Sequence, residues 1–322
     1  MKSWRGLLAF ACALLVFADQ ARAGEPPRTL RETGFFDASS HKLPFSPQYP
    51  LWSDGADKQR LIALPPGTAI DASEPDAWDF PRGTRLWKTF THGNRPVETR
   101  FIERQADGAW QFAAYVWDAE GRNAELAPPR GGVLAVPAAP GGRYVVPGRG
   151  DCLACHGGAP SPVLGFGALQ LAPELRALVA RGWLRGLPHE LLTTPPRIAA
   201  ASAIERAALG TLHGNCAHCH HAGPGRVPLG LTLQQRVADP HASAAQVLHS
   251  MVDVPSRYQP DAQPDARIVV PGDAAASVLL RRMRSRDPRV QMPPLGTEHT
   301  DEQALALLTQ WIRQDLPRHK EP

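Results

Sequence analysis

A five-residue string occurs twice in this chain of 322 residues, as Cys152-Leu153-Ala154-Cys155-His156 and as Cys216-Ala217-His218-Cys219-His220. No other feature constrains the chain as strongly. Two thiols three positions apart can bond both vinyl groups of one haem, and the adjacent histidine is then delivered to the iron. Cys-x-x-Cys-His is therefore the attachment signature of c-type haem. Two copies predict two covalently attached c-type haems, with Cys152, Cys155 and His156 holding one and Cys216, Cys219 and His220 the other.

The cysteine count supports this reading against its rivals. Of the five cysteines, four lie in the two strings, and the fifth, Cys12, lies in a segment that reads as a secretory leader. Four cysteines in an exported chain could instead form two disulfides or a zinc site. Neither requires a histidine immediately after both pairs. The leader reading rests on Lys2 and Arg5, then an apolar run from Leu7 to Ala18, then Ala21-Arg22-Ala23. That run is too short to span a bilayer, and the A-x-A pattern predicts cleavage after Ala23. Lipidation at Cys12 is disfavoured because Ala9, not leucine, stands three residues before it. A periplasmic or otherwise exported protein with no membrane span is expected. The mature chain would have 322 − 23 = 299 residues and a charge of 32 − 30 = +2, to which two haems would add four propionates. Nothing in this balance points to nucleic acid.

The expected fold is multidomain α+β. A β-rich antiparallel domain over 24–148 is followed by a first haem-binding segment over 149–199. A mostly α-helical, cytochrome c-like domain then covers 200–318. Strand-like composition covers Arg60–Leu64, Thr84–Phe90, Val97–Arg104, Trp110–Trp117 and Gly132–Val136. Asp107-Gly108 between two of these runs is a hairpin signal, and His92-Gly93-Asn94 reads as a further turn. Trp78, Trp87, Trp110 and Trp117 read either as the core of this domain or as an aromatic platform for a partner protein or a carbohydrate. Apolar spacing predicts helices over Pro173–Trp183, Pro188–Leu192, Ser202–Leu212, His241–Val252, Asp273–Met283 and Asp301–Gln314. Ser202 with Glu205 forms a capping-box pattern, and Asp273 and Thr300 read as caps of the helices they precede.

Each string is followed by a proline loop, Pro162-Val163-Leu164-Gly165-Phe166 in one case and Pro228-Leu229-Gly230-Leu231 in the other. A carbonyl of such a loop can accept the Nδ1 proton of the preceding histidine and fix its ring.

Around the second string the chain resembles a class I cytochrome c domain over 200–317. A helix leads into Cys216–His220, Met292-Pro293-Pro294 lies 72 residues after His220, and a terminal helix follows. The resemblance implies His220 as proximal ligand and Met292 as distal ligand. A thioether is a soft ligand that favours ferrous iron and raises the potential, which agrees. The first string has no such frame. Its distal ligand must come from elsewhere or be absent, with His189, Met251, Met283, His213, His218, His241, His249, His41 and His92 as the candidates.

Over nearly its whole mature length the chain is also similar to a family of exported bacterial di-haem cytochrome c proteins. Thr33-Gly34-Phe35-Phe36, Tyr49-Pro50-Leu51-Trp52-Ser53-Asp54-Gly55, Phe80-Pro81-Arg82-Gly83-Thr84, Glu98-Thr99-Arg100, 162–171 and 212–220 carry the similarity. It implies covalent haem at both strings and a β-rich leading domain, and it brings no set of catalytic residues. The expectation is a periplasmic di-haem cytochrome that carries electrons between a periplasmic donor and acceptor. The alternative is a di-haem enzyme, peroxidase- or oxidase-like, with an open first haem.

Overall fold

The computed structural model describes residues 24–38, 41–159, 161–223, 230–260 and 264–316. The expected leader at 1–23 and the Pro228-Leu229 half of the second loop lie outside the described residues.

The fold is mixed α+β. Six strands form one antiparallel sheet: β1 (Lys42–Pro44), β2 (Asp57–Ala63), β4 (Arg85–His92), β5 (Arg95–Arg104), β6 (Trp110–Trp117) and β7 (Ala124–Leu126), in that spatial order. The two tightest connections use the expected turn chemistry. Gly93 and Asn94 both take positive φ, as a two-residue hairpin between twisted strands requires, and His92 pairs with Arg95 across them. Gly108, at φ 95°, turns the chain from β5 into β6.

Alternation along these strands gives the sheet two buried faces. One carries Trp87, Phe101, Ala113 and Tyr115, closed by Leu30 from the leading segment. Here Trp87 donates to Thr33 Oγ1 (2.8 Å) and Trp117 to Thr99 Oγ1 (2.9 Å), so the indole N–H groups are satisfied internally. The other face carries Ile62 and Leu86 and merges with the main core. Trp78 and Trp87 are buried, and Trp110 and Trp117 pack against the clusters, so these tryptophans are core.

Two short pairings complete the β structure. Strands β8 (Gly132–Ala135) and β9 (Arg143–Val146) form a ribbon, and β3 (Ile70–Asp71) pairs in parallel with β10 (Leu184–Arg185). The second pairing ties the first-string segment to the sheet region. The main buried cluster likewise runs from Ile62 through Leu171 and Leu209 to Leu316, across all three segments expected from sequence.

The helices are α1 (Arg149–His156), α2 (Leu175–Ala180), α3 (Glu190–Thr193), α4 (Ala203–Cys216), α5 (Pro240–Met251), α6 (Val278–Arg284) and α7 (Glu302–Gln314). Ser202 caps α4, its hydroxyl accepting from Glu205 N at 2.9 Å, while the Glu205 carboxylate accepts from Ala201 N. Two expected helix caps are not the observed ones. Asp301, not Thr300, caps α7 by accepting from Ala304 N at 3.0 Å; the Thr300 hydroxyl instead donates to Glu302. Helix α6 begins at Val278, not at Asp273. Asp273 Oδ1 accepts from Ala275 N and Ala276 N in a tight turn, and bridges at 269, 267 and 270 hold the preceding chain extended. Helix α4 packs on α7, and α6 also packs on α7. Among the described residues no helix is long and apolar enough to cross a membrane.

Candidate cofactor site

The first string lies within α1, so its i, i+3 spacing turns Cys152 and Cys155 to one side of the helix. His156 ends the helix, and its Nδ1 lies 2.6 Å from the Pro162 carbonyl. A carbonyl only accepts, so Nδ1 carries the proton and Nε2 keeps its lone pair for a metal. Burial, the largest influence, pulls the His156 pKa down to about 4, against the raising effect of that hydrogen bond. The ring is therefore neutral at ordinary pH. The Phe112 ring packs beside it, centroids 5.1 Å apart.

The second string starts at the last residue of α4 and continues as a turn, with His220 N donating to Cys216 O at 2.9 Å. His220 is buried, and its Nδ1 has no hydrogen-bond partner among the described residues. Burial drives the Cys216 thiol up to about 12.

All four cysteines are free, so neither pair is a disulfide. The two strings instead meet each other. Cys155, His218 and Cys219 bring their ligand atoms within 4.8 Å of one another, and Cys219 Sγ lies 3.9 Å from the Ala154 carbonyl. Two sulfurs and an imidazole form a soft donor set. Hydrogen bonding from Cys155, then from His218, pulls the Cys219 thiol down to about 4. The same bond, with burial, pushes Cys155 up.

Beside the strings is a cavity of about 310 Å³, within the size range of small-molecule and cofactor sites. Its walls come from several parts of the chain. Helix α1 supplies Cys152, Cys155 and His156. The loop after it supplies Val163 to Gln170. Helix α4 and its turn supply His213, Gly214, Ala217 and His218. The sheet supplies Arg60, Leu86, Lys88, Arg100 and Ile102. Trp52, Trp78 and Phe166 add aromatic surface, and Pro293, Leu295, Gly296 and Thr297 close one side. A flat aromatic group attached to Cys152 and Cys155 suits such a lining.

The candidate distal residues separate cleanly. His213 and His218 line the cavity. His41, His189, His241 and His249 are exposed, Met251 is fully buried in the main core, and Met283 is half-buried against that core. His92 packs edge-on to Tyr144, their centroids 5.6 Å apart. His213 Nδ1 accepts from Gln235 N at 3.1 Å, so its neutral ring carries the proton on Nε2 and offers an N–H, not a lone pair. Met292 and His220 do not line this cavity, although Pro293 does. The Met292 amide donates to the Arg282 carbonyl at 3.0 Å, which ties its loop to α6.

No structural role for Tyr49–Gly55 was legible in sequence, yet this segment straps the site together. Tyr49 lies against Gly210 and Gly214 of α4, where a Cβ would come within 2.3 Å of the ring and 2.5 Å of the Tyr49 carbonyl respectively. Trp52 N donates to Asn215 Oδ1 at 2.7 Å, one residue before the second string. The Asp54 carboxylate accepts from Glu298 N and His299 N, which holds the chain that follows Met292. Small residues four apart on a helix were the only available signal for the groove.

Comparison with protein-family models, with curated proteins and with solved structures returns no match.

Proposed function

We propose that this chain is an exported di-haem c-type cytochrome that carries electrons between redox partners, with one haem at Cys152, Cys155 and His156 and the other at Cys216, Cys219 and His220. The observation that carries the reading is the His156 ring. Its Nδ1 proton is held by the Pro162 carbonyl, Nε2 is left as an unprotonated donor, and both thiols of the same string border the same cavity. Zinc and disulfide readings explain the thiols but not the trailing histidine so oriented.

Haem iron supplies one-electron chemistry at low reorganisation cost. The chain's residues hold, orient and insulate. His156 and His220 would be the histidine ligands of the two haem irons. Met292 would supply a thioether to the second, from a loop tied to α6 by its own amide and to the strap through Asp54. The contact of α4 with α7 supports a class I cytochrome c arrangement for the second half, because α4 delivers the second string and α7 closes the chain. The approach of Cys155 to Cys219 puts the two attachment points side by side, which suits transfer between two haems within one molecule.

One observation favours the enzyme alternative. His213 lines the cavity, and because its Nδ1 accepts from Gln235 N its other ring nitrogen carries an N–H that could donate to a ligand there. Carbon monoxide decides between the two. Reduced protein that binds none is an electron carrier with both haems six-coordinate. Binding at one haem per chain, with a high-spin ferric band, would move the assignment to the enzyme.

A further inference from the structure

The sheet face turned to the cavity carries a row of like charges. Arg60 on β2 is directly opposite Lys88 on β4, and Lys88 is directly opposite Arg100 on β5. Opposed residues share a face, and all three line the cavity with Cys152, Cys155 and His156. The next row along the strands, Ile62, Leu86 and Ile102, is apolar. Only Arg100 has a carboxylate partner. It grips Glu98 through two bonds of 2.9 and 3.1 Å, and Tyr144 donates to the same carboxylate at 2.5 Å. Among the described residues neither the Arg60 nor the Lys88 side chain makes a hydrogen bond or an ion pair; the Lys88 ammonium lies 4.9 Å from the centre of the Phe90 ring. Burial, then Arg100 and Arg60, drives Lys88 well below its ordinary pKa. Like charges placed opposite one another oppose folding, and enclosed charges without partners oppose it further. The two arginines against one carboxylate leave one positive charge facing the cavity, and Lys88 adds a second when an anion there offsets the arginines and restores its proton.

We propose that the row Arg60–Lys88–Arg100 is an anion-binding wall that receives two carboxylates, the propionates of the haem held at the first string. The assignment rests on the haem reading and extends it by orienting that haem, thioether edge to α1 and carboxylate edge to the sheet. The same chemistry would also suit a free oxyanion, and the two sources behave differently.

The test uses holoprotein matured in a host competent for c-type haem attachment, as wild type, Arg60→Gln, Lys88→Gln and the charge-keeping Lys88→Arg. Intact mass first counts the haems, and a redox titration then reads both midpoint potentials. A nearby cation favours the reduced centre. Arg60→Gln and Lys88→Gln should therefore each lower one potential and leave the other in place, while Lys88→Arg keeps both. Added inorganic phosphate should leave the wild-type potentials unmoved. Two attached haems with unmoved potentials in both glutamine variants would overturn the propionate assignment and leave the haem reading standing. A phosphate-dependent shift in wild type that is lost in the variants would also overturn it, by giving the wall to a free oxyanion. A chain without haem contradicts the reading beneath it, and the mass alone identifies that case. Should Lys88→Gln fail to fold, Arg60→Gln carries the same comparison.

Discussion

Removing one hydroxyl tests whether the buried charge cluster behind the cavity is organised as described. Glu98 is fully buried, and its carboxylate is held by Arg100 and by the Tyr144 hydroxyl, itself on a buried ring. Tyr144→Phe deletes a hydrogen bond to a charged group and opens no cavity. Such bonds contribute roughly 1.5–3 kcal/mol, so a loss of about 2 kcal/mol is expected. In a domain of this size that lowers the melting temperature by roughly 4–8 °C. Glu98→Gln should cost more, on the order of 3–5 kcal/mol, because it strands Arg100 beside Lys88 and Arg60 without a carboxylate. Urea unfolding followed by far-UV circular dichroism gives both values. Combined in one chain, the two changes should cost less than their sum, since Tyr144 and Glu98 act on the same bond. A Tyr144→Phe protein within about 0.5 kcal/mol of wild type, the scatter of ordinary surface changes, would refute the reasoning.

Three further outcomes are expected. Gly214→Ala should destabilise the protein by at least about 1–3 kcal/mol, because its Cβ would meet the Tyr49 backbone carbonyl, which cannot rotate away; chemical denaturation at wild-type stability would contradict the strap. Burial, with His218 adding to it, lowers the His213 pKa from 6.5 to about 4. The unfolded chain therefore takes up that proton first as pH falls, and stability should drop from about pH 6.5 down to about pH 4; His213→Gln should flatten this slope, and an unchanged slope would count against it. Met292→Ala should lower one midpoint potential and leave the other nearly unchanged, because only the second iron is assigned a thioether; equal shifts in both would contradict the ligand assignment.

The parts of this fold that were legible in sequence are those fixed by local chemistry. Strand-like composition marked the central strands, Gly93-Asn94 and Asp107-Gly108 gave the hairpins, and Ser202 with Glu205 gave the start of α4. The start of α6 was not legible. Asp273 satisfies its neighbours in a turn, and bridges from Val270 to Asp273 and from Arg267 to Ser277 hold that turn in place, so the helix starts only at Val278. At the site, the two strings named their own residues, and the proline loop correctly pointed to the Pro162 carbonyl. The meeting of Cys155 with Cys219 depends on how α1 and α4 pack, which no local pattern encodes. The same holds for the row of Arg60, Lys88 and Arg100. Each sits in a strand with ordinary composition, and only the register of three strands brings the charges into line.

The central claim is that both strings carry covalent haem, and intact mass spectrometry of the protein purified from a host competent for c-type haem maturation tests it directly. The account predicts a polypeptide heavier by two haems that stay attached under denaturing, haem-extracting conditions. Changing both Cys152 and Cys155 to alanine should remove one haem, and changing both Cys216 and Cys219 should remove the other. A polypeptide of unmodified mass, or one carrying zinc at Cys155, His218 and Cys219 in place of haem, would contradict it.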